Sequence, residues 1–274
     1  MPEMYDVKMT EASKSALVEV ASSLSMYRDD FVLAGGWVPY FLTRGDFDHC
    51  GSRDIDLVLR PSVLTKYDSI RKIVERLGFS EVPGNPFRFE RQVTSPTDKR
   101  EYSVKLDFLT EPSPAEQAYP LIQVQRDLRA CLIQGSSIVF KLNYKETVEG
   151  VLPGDGEIKL EMKVANVVGC LVMKGLALPR LSDKDSYDIY AVAGFHKGGP
   201  EQASQVFLSQ LRNVALNTEE TQTLRSGLGM IQEAFKSPDS QGPYAVSRFI
   251  GQEMNTESYM RVNAFLRSIE PAFR

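Results

Sequence analysis

The stretch that most constrains the fold places two aspartates at the head of a short apolar run. It reads Gly51-Ser52-Arg53-Asp54-Ile55-Asp56-Leu57-Val58-Leu59. Side chains alternate between the two faces of a β-strand, so both carboxylates share a face if this run is a strand. Two like charges held this close favour a cation, and Mg²⁺ takes carboxylate oxygens completed by substrate phosphates. An exposed strand carrying two solvated acids is the alternative.

A double glycine lies upstream of these acids. Gly35 and Gly36 follow the apolar run 31–34 and precede a helical segment at 37–43. Glycines let backbone N–H groups approach a ligand closely, and the start of a helix carries partial positive charge that favours phosphate. The pattern predicts a phosphate-binding corner, with Gly51 and Ser52 as further candidates. A tight turn without a ligand is the alternative.

A third acid, Asp107, lies inside the alternating run 102–109, which we predict to be a strand beside residues 87–91. An acid among apolar neighbours is costly unless it is paired or bound to a metal ion. Next to the strand with Asp54 and Asp56, it would complete a cluster of three carboxylates able to hold two divalent cations for an in-line displacement. The alternative is that Asp107 faces solvent.

The chain changes character near residue 165. Before this point strands dominate, with prolines 112, 114 and 120 marking a loop and a hairpin expected from 138–144 and 157–164. After it, glycine and proline separate helical segments at about 165–178, 184–195, 201–215, 218–236, 243–252 and 257–269. We expect an α+β fold, with a mixed-sheet domain over residues 1–164 followed by an all-helical domain over 165–274.

Composition narrows the function classes. The net charge of -4 excludes a generally basic surface, so contact with nucleic acid requires a local patch. Two histidines and three scattered cysteines do not form a zinc motif, which leaves carboxylates as metal ligands. The N-terminus has no apolar core, and the sequence has no apolar stretch of membrane-spanning length. We expect a soluble cytoplasmic protein that does not bind a membrane.

The second half contains a further group of charged residues. Lys174 lies in an apolar helical segment, where an ammonium group needs an anion. Asp185 and Asp188 are three residues apart and share one side of a helix. These residues either contact a substrate or form an ion-pair network between helices. His49, in a polar loop of the first half, is either an ordinary loop residue or a substrate contact.

The order of these motifs resembles the polymerase-beta-like nucleotidyltransferase superfamily, whose pattern is a small-residue corner, a Dx[DE] pair and a third acid. The segments 174–180 and 184–190 resemble the K…R…KD..D signature of the AbiEii/MenT-like nucleotidyltransferases. Members of that family act as toxins in bacterial type IV toxin-antitoxin and phage-defence systems. The resemblance covers about residues 31–195. It implies a nucleotidyltransferase fold and transfer of a nucleoside monophosphate from an NTP to an acceptor.

The resemblance also implies roles for individual residues. Residues expected to be catalytic are Asp54, Asp56, Asp107, Lys174 and Asp188, and the first three are expected to bind two Mg²⁺ ions. Residues expected to bind the nucleotide are Gly35, Gly36, Gly51, Ser52, Lys174 and Asp185. The acceptor would be RNA such as a tRNA, or a protein, and an antitoxin protein would be a partner. The alternatives are a small-molecule acceptor, as in antibiotic modification, and a catalytically silent module that binds nucleotide or a partner.

Overall fold

A computed structural model describes residues 7–111 and 121–273, so the predicted proline-marked loop lies outside the described residues. Within these ranges the chain forms nine α-helices and nine β-strands. In chain order they are α1 (Val7–Ser23), β1 (Phe31–Ala34), α2 (Trp37–Thr43), β2 (Asp54–Leu59), α3 (Ile70–Arg76), β3 (Ser80–Val82), β4 (Asn85–Thr94), β5 (Glu101–Thr110), β6 (Leu121–Gln125), β7 (Leu128–Leu132), β8 (Asn143–Val151), β9 (Glu157–Ala165), α4 (Val167–Ala177), α5 (Asp183–Phe195), α6 (Pro200–Arg212), α7 (Thr218–Ala234), α8 (Gln241–Ile250) and α9 (Asn255–Ile269).

The described residues form two compact units. The sheet unit comprises residues 7–37, 50–111 and 121–165, and the helical unit comprises residues 38–49 and 166–273. All nine strands, α1 and α3 belong to the sheet unit, whereas α4 to α9 belong to the helical unit. None of the helices in the described ranges is both long and apolar enough to cross a membrane.

The strands form one mixed sheet in the order β3-β4-β5-β2-β1-β9-β8, with β7 paired to β5 and β6 paired to β7. The β2–β5 and β1–β9 pairs are parallel, whereas β1–β2, β3–β4, β4–β5 and β8–β9 are antiparallel. The predictions of an α+β fold with a mixed sheet, of neighbouring strands at β4 and β5, and of the β8–β9 hairpin are therefore confirmed.

Strand alternation separates the two faces of β5. Leu106 and Phe108 are fully buried, and the Phe108 ring meets the Phe89 ring edge-on with centroids 5.7 Å apart. Helix α1 lies on this apolar face, where its Glu19 pairs with Arg91 of β4. Burial of each large apolar side chain contributes about 1.5–3 kcal/mol. Asp107, between two buried apolar residues, consequently lies on the other face of the sheet.

Two element boundaries differ from the sequence predictions. The helix expected over residues 63–77 is limited to α3, because Ser69 caps it by accepting a hydrogen bond from the backbone N–H of Lys72 at 3.3 Å. Leu64 and Tyr67, which precede this cap, are 82% and 90% exposed and so do not form a buried helix face. The strand expected from residue 138 begins at Asn143, because residues 136–140 form a 3₁₀ turn.

Candidate active site

Three aspartates of the sheet unit lie on neighbouring parallel strands. Strands β2 and β5 pair so that Asp56 is opposite Asp107 and Asp54 is opposite Lys105. Neighbouring strands are about 4.8 Å apart, and residues directly opposite each other share a face. We call Asp54, Asp56 and Asp107 the acidic face. The fold thus brings together the three acids that were singled out in the sequence.

The partner of Asp107 is an arginine that the sequence did not indicate. Arg88 of β4 lies opposite Asp107 in the antiparallel β4–β5 pair. Its Nε donates to Oδ1 of Asp107 at 2.7 Å, and its Nη2 donates to Oδ2 at 2.6 Å. Asp107 is only 5% exposed, so this two-point ion pair explains how a buried carboxylate is tolerated. Residue alternation places Arg88 on one face of β4, but the register that makes it face Asp107 cannot be read from the sequence.

On the acidic face, burial disfavours the ionised carboxylate of Asp54 more than the nearby cations favour it. Burial raises the pKa of Asp54, and the charge of Asp107 adds to this effect. The nearby Lys105 and Arg88 act in the opposite direction, yet the pKa stays above its ordinary value. The pKa of Arg88 is raised mainly by its hydrogen bonds to Asp107, with further contributions from the charges of Asp54 and Asp56. A bound cation would offset the cost of burying the ionised Asp54 carboxylate.

Gly35 makes room for a carboxylate of the acidic face. Its φ angle is +67°, which L side chains rarely adopt, and a Cβ atom at this position would lie 1.8 Å from Oδ2 of Asp56. Gly36 completes the turn before Trp37, whose buried indole Nε1 donates to Ser13 Oγ at 3.2 Å. The corner is therefore anchored by Trp37 and shaped to accept Asp56. Helix α2, which follows, has seven residues.

Gly51 and Ser52 fix the backbone immediately before β2. Gly51 has a φ angle of +74°, and a Cβ atom there would lie 3.3 Å from Cβ of Thr10 and 3.4 Å from the Trp37 ring. Ser52 Oγ donates to the backbone oxygen of Asp54 at 3.0 Å, and the backbone N–H of Asp54 lies 3.3 Å from the same hydroxyl. The local backbone conformation thus explains why glycine and serine occupy these two positions. Their contact with a nucleotide stays a prediction.

The donor set of the acidic face fits a hard divalent cation at Asp54 and Asp56. These half-buried carboxylates lie on one face of β2, and oxygen ligands of this kind suit Mg²⁺. Over residues 7–111 and 121–273, however, no three His, Cys, Asp or Glu side chains converge as a metal site. On this face, both oxygens of Asp107 accept hydrogen bonds from Arg88.

The helical unit contains a second group of charged residues, which we call the buried charge cluster: Lys174, Lys184, Asp185, Asp188 and His49. Lys174 Nζ lies 2.8 Å from Oδ1 of Asp185 and 2.6 Å from Oδ2 of Asp188. Lys184 Nζ also pairs with Oδ1 of Asp188, which lies 2.9 Å from His49 Nε2. Asp188 is fully buried.

In the buried charge cluster, the cations and carboxylates offset the cost of burying one another. Burial would raise the pKa of Asp188, but Lys174 and Lys184 together hold it below its ordinary value. Burial would likewise lower the pKa of Lys174, and Asp185 with Asp188 outweighs that effect and raises it. For His49, burial and the charge of Lys184 lower the pKa to about 4, so the ring is neutral at pH 7.

These contacts favour the ion-pair interpretation of the second motif. The ammonium group of Lys174 has two carboxylate partners, and Asp185 and Asp188 each have cationic partners within the same unit. Roles of these residues in catalysis or nucleotide binding stay predictions. His49 belongs to the interior of the helical unit, and its partner Asp188 is 139 positions away in the sequence. Residues this far apart in the sequence share no local motif.

Comparison with known proteins gives only distant structural likeness. No protein-family profile matches the chain, and no curated protein sequence matches it. Among solved structures, one similar chain is described as the crystal structure of an antigenic nucleotidyltransferase-like protein from Paracoccidioides brasiliensis. The two chains are 16% identical with a TM-score of 0.40, and the similarity covers 86% of this chain and 92% of that one. A likeness at this distance establishes neither a shared fold nor a shared activity.

Proposed function

We propose that the protein is a Mg²⁺-dependent nucleotidyltransferase whose site is the acidic face. The observation that carries this proposal is the register of β2 and β5, which sets Asp56 opposite Asp107 and beside Asp54 on one face of the sheet. The raised pKa of Asp54 supports it further, because a metal ion would offset the cost of burying its ionised carboxylate. The resemblance of the motif order to the polymerase-beta-like superfamily is consistent with this chemistry.

In the proposed reaction an acceptor oxygen forms a bond to the α-phosphorus of an NTP, and the bond to pyrophosphate breaks. Bound Mg²⁺ would supply charge neutralisation at the phosphates. Asp54 and Asp56 would hold it, while Gly35 keeps the space that the Asp56 carboxylate needs. Arg53 precedes these acids, and its buried Nε has no hydrogen-bond partner among the described residues. This donor is available to a phosphate oxygen.

The acceptor follows from the family resemblance alone. We propose RNA, such as a tRNA 3′ end, with a protein acceptor as the second outcome, and a toxin or phage-defence role with an antitoxin partner. The net charge of -4 means that an RNA would bind through a local basic patch, so its affinity should fall as salt rises. The other proposed contacts of the nucleotide or acceptor are Gly36, Gly51, Ser52, Lys174, Asp185 and Asp188.

The test is transfer of label from each α-labelled NTP to total cellular RNA, in the presence of Mg²⁺. Wild-type protein should label RNA, and Asp54→Asn should not. Label on the protein fraction alone would point to a protein acceptor. Nucleotide binding without pyrophosphate release, for RNA, protein and small-molecule acceptors alike, would contradict the transferase proposal and favour a silent binding module.

A matched control keeps the outcome interpretable. Asp127→Asn removes an acid of the same unit whose Oδ2 accepts a hydrogen bond at 2.6 Å from Oγ of Ser69, the cap of α3. This variant should transfer label at the wild-type rate. A loss as large as that of Asp54→Asn would mean that carboxylates throughout the unit affect activity through folding, and the assignment of the acidic face would fail.

A further inference from the structure

Arg88 binds the carboxylate of Asp107, which would have to act as a metal ligand in a site with two divalent cations. Its guanidinium meets Asp107 side-on, with one N–H on each oxygen at 2.7 and 2.6 Å. A guanidinium fork of this kind covers the edge of the carboxylate between its two oxygens, so it excludes chelation of a metal ion by both. Asp107 is buried, and Arg88 lies opposite it on the neighbouring strand β4, so the strand pairing fixes the ion pair in place.

The positive charge of Arg88 lies where a second metal ion would otherwise neutralise Asp107. Arg88, Asp107 and Asp56 follow one another across β4, β5 and β2. Arg88 offsets the charge of Asp107, which otherwise faces a like charge on the next strand. Asp54 and Asp56 are then the two carboxylates of β2 on this face that could hold a divalent ion.

We propose that Arg88 is a positioning residue that replaces a second metal ion on the acidic face, so that the site takes one divalent cation, at Asp54 and Asp56. The inference rests on the acidic face being the metal site of the proposed function. It differs from the two-ion site expected from three carboxylates. The guanidinium also keeps three N–H groups beyond those given to Asp107, and these are suited to an anionic phosphate.

The test counts Mn²⁺ ions bound to the full chain, with Mn²⁺ as a probe because it accepts the same carboxylate ligands as Mg²⁺. Free Mn²⁺ is measured by electron paramagnetic resonance during titration, without nucleotide. Wild-type protein should bind one ion, and Arg88→Gln should bind two, because Asp107 becomes available. Two ions in the wild type, or one ion in both proteins, would overturn the inference.

Two further variants separate a site role from a structural role. Arg91→Gln removes an arginine of the same strand that pairs with Glu19 of α1 on the opposite face, and it should leave the count at one. Asp107→Asn should also retain one ion, because Asp107 is not a ligand in this arrangement. Loss of the ion in Asp107→Asn would overturn the inference even if Arg88→Gln failed to fold.

The outcome is distinguishable from failure of the proposed function. If the wild type binds one ion and Arg88→Gln binds two, but no acceptor is labelled, the role of Arg88 is supported and the transferase proposal fails. Label transfer that needs Asp54, with two ions in the wild type, would support the transferase and reject the role of Arg88. Wild-type protein that binds no Mn²⁺ would contradict both.

Discussion

The acidic face of the sheet unit and the buried charge cluster of the helical unit use aspartates in opposite ways. In the buried charge cluster, Lys174 and Lys184 hold the pKa of Asp188 below its ordinary value. On the acidic face, Lys105 and Arg88 do not prevent burial and Asp107 from raising the pKa of Asp54. The nearby cations outweigh the effect of burial at Asp188, and they do not outweigh it at Asp54.

This difference separates acids that serve the fold from acids that are available to a ligand. A buried carboxylate with complete cationic partners is costly to disturb and has little left to offer a metal ion. A carboxylate whose pKa is raised makes the folded state less stable in its ionised form, which is a common property of functional sites. The comparison therefore predicts opposite consequences for the same Asp→Asn change in the two groups.

The largest expected effect is on activity. Asp54→Asn and Asp56→Asn should each lower nucleotidyl transfer by on the order of 10³-fold, because a metal-binding carboxylate supports several kcal/mol of transition-state stabilisation. Since the pKa of Asp54 is raised, Asp54→Asn should also increase the free energy of unfolding at pH 7. Transfer assays and urea denaturation check the two parts. A destabilised Asp54→Asn protein would break the comparison.

In the buried charge cluster, Asp188→Asn should destabilise the protein by about 3–5 kcal/mol, because it leaves Lys174 and Lys184 short of a buried partner. The control is Asp183→Asn on the same helix, which breaks an exposed pair with Arg248 and should cost less than about 1 kcal/mol. Urea denaturation measures both. Equal, small changes for the two variants would show that the cluster is not a stabilising network.

The pH dependence of stability tests the histidine of that cluster. The pKa of His49 is lowered from 6.5 to about 4, so below pH 6.5 the unfolded chain binds a proton that the folded chain does not. Stability should therefore fall as the pH drops from 6.5 towards 4, by up to about 3 kcal/mol from this residue. Asp188, whose pKa is lowered, loses its contribution only below its ordinary pKa of 3.8.

His49→Gln is the variant that isolates this effect. It retains an N–H group for Asp188 and removes the titration, so unfolding midpoints between about pH 7 and pH 4.5 should vary less steeply than in the wild type. Measurements of the urea midpoint across this range would decide it. Identical slopes in the two proteins would mean that His49 does not carry the pH dependence.

The smallest effect, Gly35→Ala, sharpens the link between the glycine corner and the acidic face. The φ angle of +67° should cost about 1–2 kcal/mol with alanine, and the methyl group would displace the Asp56 carboxylate. Gly84→Ala is the matched control, since its φ angle is +80° and no heavy atom lies within 4 Å of its Cβ position. Both variants should lose similar stability from strain, but only Gly35→Ala should lose transfer activity. Equal activities would separate Gly35 from the site.

Periodicity and turn chemistry were sufficient to predict much of the sheet unit. Alternation identified β4 and β5 as neighbours, and the Asp-x-Asp pattern correctly predicted two acids on one strand face. The third acid, Asp107, stood out because it interrupts an apolar pattern. These are local signals, in which the residue and its sequence neighbours carry the information.

The remaining features depend on contacts between distant segments. Arg88 faces Asp107 because of the β4–β5 register, and nothing in either strand alone sets that register. Residues 38–49 group with the helical unit although they lie between two strands in sequence, which brings His49 to Asp188. Helix α3 begins at Ile70 and not at residue 63, because Ser69 provides the cap. Tertiary packing decides each of these.

The most direct test of the central claim is the effect of saturating Mg²⁺ on the midpoint of urea unfolding. A ligand that binds only the folded protein stabilises it, by about 2.7 kcal/mol at a hundredfold excess over Kd. If the acidic face is the metal site, Mg²⁺ should raise the midpoint of the wild type and of Asp188→Asn, and leave Asp54→Asn unchanged. No increase in the wild type, or the same increase in Asp54→Asn, would contradict the account.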